Sequence, residues 1–319
     1  MSSNIKEIQG AVGFSDKAVV SLLAGDASSR KYYRVTDAGK NFIIVVSAPF
    51  SDDDPAILSN IAFKKLGVPV PEILKVIPEK GLMVKEDLGG VHLQDIKVDK
   101  KLFDYYDSVV DIMLTYQLNS ANTKEPLYPL SYSFTKEKFI SELNMTTEYY
   151  FDGYKKNKLN GSDKKELELV YSDLVDKMMQ QQFLLLHRDY HSRNIMLSKG
   201  KLFVIDYQDA RLGPYTYDLA SLIIDPYIEL GESLKKHIIE RYYNGVKHFI
   251  NEPVADFDSD YSLCFLQRGI KILGTFAYQK LEKNNDRYLE YIEPSLKKVN
   301  SVLKVFPEWK KTVLGALLK

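Results

Sequence analysis

The 319 residues carry 43 Lys and Arg against 43 Asp and Glu, with 45% hydrophobic and 27% charged residues. This ordinary globular balance supplies one large core or two smaller ones and excludes a disordered chain. Zero net charge excludes the global basic field of a dedicated nucleic-acid binder. Cys264 is the only cysteine, so neither an intrachain disulfide nor a cysteine zinc cluster can form, and a cytoplasmic setting is expected. The longest uncharged stretch, residues 112–123, is too short to span a bilayer. Residues 1–10 have no apolar signal core, so no membrane association is expected.

In chain order, Lys31–Thr36 and Asn41–Ala48 predict two strands around the turn Asp37-Ala38-Gly39. The second is β-branched, as a buried strand should be. Asp54-Pro55 opens a helix to Leu66 with Ile57, Leu58, Ile61, Ala62 and Leu66 as its apolar side. Gly67 stops it, and Pro69 and Pro71 keep the chain extended. Gly81–Val84 predicts another strand. From Leu102 the periodicity turns helical, over Leu102–Asn119, Lys136–Phe151 and Asp163–Gln182, with a solvated polar loop at Lys155–Gly161. Leu184–Tyr207 breaks that pattern, and helices resume after Tyr217. The layout is α+β, with an N-terminal sheet lobe of residues 1–86 and a larger helical lobe of residues 87–319 containing a hairpin. The boundary falls in Glu86-Asp87-Leu88-Gly89-Gly90.

The chemistry concentrates between Leu186 and Asp206. Apolar residues flank Gly200 on both sides, which predicts a hairpin; a register symmetric about Gly200 sets Asn194 opposite Asp206 at its open end. An amide oxygen and a carboxylate so placed suit Mg²⁺. Asp189, five residues before Asn194, stands in the entering loop, beside the metal site without ligating. One carboxylate to orient a hydroxyl and take its proton, plus an Asn and an Asp for magnesium, is what phosphoryl transfer needs. His191 and Arg193 are expected to meet phosphate oxygens as cations. His187 is expected to brace the backbone.

His187-Arg188-Asp189 with Asn194, followed by Asp206-Tyr207-Gln208, resembles the catalytic loop and metal-binding triplet of the protein-kinase fold. Asp209-Ala210, Gly213-Pro214 and Tyr217-Asp218-Leu219-Ala220 are similar to the aminoglycoside phosphotransferase (choline kinase-like) superfamily. Within it, the string from His187 to Asp209 and the segment Leu266-Gln267-Arg268 with Lys271, Leu273, Gly274 and Phe276 resemble the cell-wall kinases acting on the anomeric hydroxyl of N-acetylmuramate and N-acetylglucosamine. The resemblance, over residues 20–300, implies a bilobal kinase-like fold with an antiparallel N-terminal sheet, ATP as donor and Mg²⁺. It implies that Gly25, Ser28, Ser29 and Arg30 cover the phosphates, and that Glu86 and Leu88 belong to a hinge whose backbone meets adenine. It implies a structural Asp218, and Asp225, Arg268 and Tyr227 at the acceptor. Buried ion pairing is the other reading of Arg268.

One departure stands out. Residues 42–48 contain no lysine and residues 54–66 no glutamate, where that fold supplies a charge pair. Loss of both is coherent, since either alone would be a buried charge without a mate. Arg30, Lys31 and magnesium are the candidates to neutralise the phosphates. Only seven residues separate Asp206 from Pro214, too few for a long regulatory segment, which speaks against a protein kinase. The reading is a small-molecule sugar kinase with ATP and a sugar as its partners and no obligate protein partner. The alternatives are an aminoglycoside or other small-alcohol phosphotransferase, and an inactive nucleotide-binding scaffold. From Leu296 onward six lysines face Glu308 alone, a balance that suits an uncharged or acidic sugar better than a polycation.

Overall fold

The computed structural model describes residues 2–23, 30–96, 101–250 and 254–319. Gly25, Ser28 and Ser29, expected over the phosphates, lie outside the described residues. The N-terminal part holds helix α1 (Ser2–Val12), strands β1 (Val19–Leu22), β2 (Lys31–Asp37) and β3 (Lys40–Val46), helix α2 (Pro55–Lys65), and strands β4 (Ile73–Ile77) and β5 (Leu82–Glu86). The five strands form one antiparallel sheet in the order β1-β2-β3-β5-β4. Alternation gives it two apolar faces. Val35, Ile44, Leu82 and Val84 pack with Val12 of α1 on one. Val45 and Met83, with Tyr32, Ile43 and Ile73, pack with Ala56 of α2 on the other. Neither α1 nor β1 was expected.

Helix α2 starts where its sequence says, with the Asp54 carboxylate accepting from Ala56 N at 2.8 Å and Pro55 in the first turn. Its buried side differs from the expected one. Ala56, Ser59, Asn60, Ala62 and Phe63 face inward, whereas Ile61 is exposed. The helix meets the sheet through Ala56 and the large core through Ala62 and Phe63, so the buried stripe follows two partners rather than hydrophobicity alone.

The rest is helical around one large core. Helices α3 (Leu102–Asn122) and α4 (Lys136–Met145) come first, and the chain then widens into a π-helical segment (Thr146–Tyr154) before α5 (Gly161–Met178). Strand β6 (Phe183–Leu186) leads to the hairpin β7 (Ile195–Ser198) and β8 (Lys201–Val204), and β9 (Arg211–Pro214) returns to pair with β6. Helices α6 (Tyr217–Ile224), α7 (Glu232–Ile250), α8 (Val254–Lys283) and α9 (Ile292–Leu303) follow, then the short α10 (Pro307–Lys310) and α11 (Val313–Leu317). Among the described residues no helix is long and apolar enough to cross a membrane. A small antiparallel sheet lobe joined to a mainly helical body is the bilobal fold expected.

The hairpin register corrects the expectation by one residue. Ile195 pairs with Val204 and Ser198 with Lys201, so the turn is the two-residue Lys199-Gly200, at φ 51° and 76°. Two successive positive φ values mark the tight hairpin turn that follows strand twist. Asn194 therefore faces Ile205, whose N–H donates to the Asn194 carbonyl at 3.0 Å, and Asp206 is the next residue along.

Candidate active site

The loop between β6 and β7 is fixed from below. Asp218, fully buried at the start of α6, accepts from the His187 amide at 2.6 Å, the Arg188 amide at 3.0 Å and the Tyr116 hydroxyl at 2.6 Å. It is structural, as expected. These bonds hold Arg188 at φ 82°, an unfavourable value for a non-glycine residue. His187 is fully buried, and its Nε2 donates to the Ile205 carbonyl at 2.8 Å, tying the loop to the hairpin end. Asn194 Nδ2 donates to the Asp189 carbonyl at 2.9 Å, which turns its Oδ1 away from that bond.

Asp189 projects from this loop and forms an ion pair with Arg268 of α8 at 2.7 Å. Burial by itself would raise its carboxyl; Arg268, then Lys271 and Arg188, outweigh that and hold it well below the ordinary carboxylate range. Behind it lies a second charged group. Buried Glu142 of α4 meets Arg188 at 3.4 Å, Lys138 at 3.5 Å and Lys271 at 3.6 Å. Burial pushes the Lys271 ammonium down to about 8, with Glu142 opposing the shift. Glu142 was missed from sequence, and no local motif marks it.

Asp206 leaves β8 at φ 65° with an exposed carboxylate, which accepts from the Gln208 side chain. Tyr207 turns inward, stacks on Phe63 with centroids 5.6 Å apart, and accepts from Asn60 Nδ2 at 2.5 Å. Among the described residues no cluster of three or more His, Cys, Asp or Glu forms a self-sufficient metal site. Asn194 Oδ1 and Asp206 are nonetheless hard oxygen donors at one hairpin end, the sparse protein contribution Mg²⁺ accepts when phosphates complete its shell.

Other expected residues sit differently. Asp225 is fully buried and accepts from the Ser192 amide at 2.6 Å and the Tyr227 amide at 2.9 Å, so it anchors the loop rather than meeting an acceptor. Arg268 is the buried ion-pair partner, the second of the two readings. Arg193 donates to Gln94 at 3.0 Å and the Tyr291 hydroxyl at 3.1 Å, and its guanidinium covers the Tyr227 ring at 3.5 Å; it is held by these partners rather than aimed at phosphate. Burial lowers the His191 pKa, with Asp225 and Asp189 opposing, so the ring is neutral rather than the cation expected. It packs edge-on to Tyr227, centroids 5.3 Å apart, making a polar-aromatic wall with Tyr291.

Across from the hairpin, Glu86 ends β5 with its amide donating to the Glu72 carbonyl at 2.9 Å, and Leu88 is buried. Arg34 of β2 clamps this stretch through Asp87 at 2.6 Å and the Gly89 carbonyl at 2.7 Å. Arg30 pairs with Asp54 at 3.2 Å, and exposed Lys31 alternates onto the α1 side of the sheet, away from the hairpin.

Proteins named N-acetylmuramate/N-acetylglucosamine kinase from Neisseria meningitidis and Pseudomonas aeruginosa are 25% and 26% identical, over 91% of this chain and 87% and 86% of their own length. The fold is shared with a choline/ethanolamine kinase family protein from Mesorhizobium loti, TM-score 0.63 at 12% identity, covering 100% of this chain and 99% of that one. It is shared too with the gentamicin complex of APH(2")-IIa, TM-score 0.62 at 11% identity, covering 94% and 95%. Residues 19–252, which include the N-terminal sheet and the loop between β6 and β7, match the phosphotransferase enzyme family, and the chain belongs to it.

Proposed function

We propose that this chain transfers the γ-phosphate of ATP to the anomeric hydroxyl of N-acetylmuramate or N-acetylglucosamine. The observation that carries the reading is the ionised Asp189 in a loop that Asn194 bonds and that His187 ties to the hairpin end next to Asp206, in a chain whose named relatives align over nine tenths of its length. Asp189 orients the acceptor hydroxyl. Held as a strong acid's conjugate, it takes the proton as the new O–P bond forms and the bond to the β-phosphate oxygen breaks, which suits a loose transition state. ADP departs, and the proton passes from Asp189 to solvent. Asn194 Oδ1 and Asp206 are the residues to hold Mg²⁺, which when bound neutralises charge on the phosphate oxygens. Around Asp189, the cations Arg188, Arg268 and Lys271 face Glu142 and Asp189 itself, a balance that favours a neutral or acidic sugar over a polycation.

Phosphorus NMR of products from ATP with each sugar tests this. Sugar 1-phosphates are expected from both N-acetylated sugars, with far weaker turnover of glucose and none of the 1-O-methyl glycoside. A site built to hydrogen-bond a substrate group discriminates by about 10⁴–10⁵-fold against an analogue without it in favourable cases. A 6-phosphate, or turnover confined to aminoglycosides, overturns the acceptor assignment.

A further inference from the structure

Lys85 of β5 lies directly across from Ile43 of β3, and Ile43 lies across from Arg34 of β2. Directly opposed residues emerge on one face of a sheet. That face carries Tyr32, Val45 and Met83 and is the one that α2 covers. Lys85 is half-buried, and its ammonium approaches the Tyr207 ring, 5.6 Å from its centroid. Among the described residues it makes no hydrogen bond or ion pair. Besides burial, which pushes the ammonium down to about 8, the charges acting on it are Arg30, Asp206 and Asp54. The neighbouring arginines have partners, Arg30 with Asp54 and Arg34 with Asp87. An ammonium withdrawn from water without an anion beside it is costly, and an entering anion removes that cost.

We infer that Lys85 binds the α- and β-phosphates of the nucleotide, supplying from β5 the cation that β3 lacks. Lys85 immediately precedes Glu86 of the hinge and its ammonium lies toward Tyr207, next to Asp206, the interval a nucleotide spans if its base meets the hinge and its phosphates reach the hairpin. Within Pro55–Lys65 the helix that covers this face has no carboxylate, and its Asn60 is spent on Tyr207 and the Pro71 carbonyl, so no carboxylate within the helix pairs with Lys85. This assignment rests on the kinase reading above.

Calorimetric titration of ADP and of adenosine, with Mg²⁺ present, separates the possibilities. Lys85→Met is expected to weaken ADP by about 10–100-fold, the scale of a lost bond to a charged group, while adenosine changes less than about twofold. Moving the charge one strand along the row, in Ile43→Lys with Lys85→Met, is expected to restore most of the ADP affinity. If Lys85→Met does not fold, Lys85→Arg against Lys85→Gln gives the same comparison, with ADP affinity kept only in the arginine variant. Equal loss of ADP and adenosine, or no loss of either, overturns the assignment of Lys85 and leaves the kinase reading intact. Failure of the unaltered chain to bind ADP or adenosine at all overturns both.

Discussion

As the base proposed above, Asp189 would carry two demands, to be ionised and to accept a proton, with Arg268 as its ion-pair partner. Asp189→Asn is expected to fold and bind nucleotide while losing about 10²–10⁴-fold in turnover, the usual worth of a positioned base; near-normal kcat sinks the role. The pH profile is a sharper test. The Asp189 carboxyl is depressed, so the ionised form persists below the ordinary carboxylate range, and the acid limb of kcat/KM from this group lies there. Arg268→Gln removes the largest lowering partner and leaves the burial that raises the carboxyl, so the limb moves to higher pH. A limb that stays where it was means Arg268 does not tune the base. As candidates, Asp189, Asn194 and Asp206 were legible because one contiguous segment carries them. Lys85 and Glu142 were not, because strand register and helix packing across more than a hundred residues give them their neighbours. Asp225 was assigned to the acceptor by resemblance alone, and its two oxygens accept from backbone amides.

The elements most readable in the sequence are those whose pattern and punctuation agree. β2, β3, α2 and α3 each have both, and their bounds fall within a few residues of expectation. The hairpin had the pattern but an ambiguous turn. Centring it on Gly200 assumes one left-handed residue, whereas Lys199 adopts that region as well, and the register slips by one. The helix expected over Lys136–Phe151 changes to π geometry at Thr146, where α8 crosses closely enough that Gly274 has no room for a side chain. A Cβ there would lie 2.7 Å and 2.8 Å from the Cα and N of Thr146. Gly274→Ala is expected to lower stability by about 1–3 kcal/mol through overpacking, read as a fall in the denaturation midpoint with no change in m-value. An unaltered midpoint means the crossing yields easily. Asp218→Ala should cost at least as much, since two buried amides and the Tyr116 hydroxyl lose their acceptor at about 1–3 kcal/mol each.

At the scale of the molecule, α2 belongs to both the sheet and the large core through Ala56 and Phe63. A nucleotide that meets Lys85 from the sheet and Asp206 from the hairpin contacts both lobes, so its binding energy stabilises the whole fold rather than one lobe. Ligand at about 100 times its Kd adds roughly 2.7 kcal/mol by mass action, a few degrees in Tm for a chain of this size. Asp206→Asn is the variant that isolates the metal-dependent part. Asparagine tolerates the left-handed backbone at φ 65°, and the side chain is exposed, so the unliganded Tm should hold; Ala would mix in backbone strain. In the unaltered chain, ADP with Mg²⁺ should raise Tm more than ADP with a chelator. In Asp206→Asn the two increments should converge, because the carboxylate charge that attracts the cation is gone while Lys85 and the hinge still hold the nucleotide. A variant that keeps the full magnesium-dependent increment places the metal donors elsewhere, and one that loses the chelator-insensitive increment too means Asp206 shapes the nucleotide site itself.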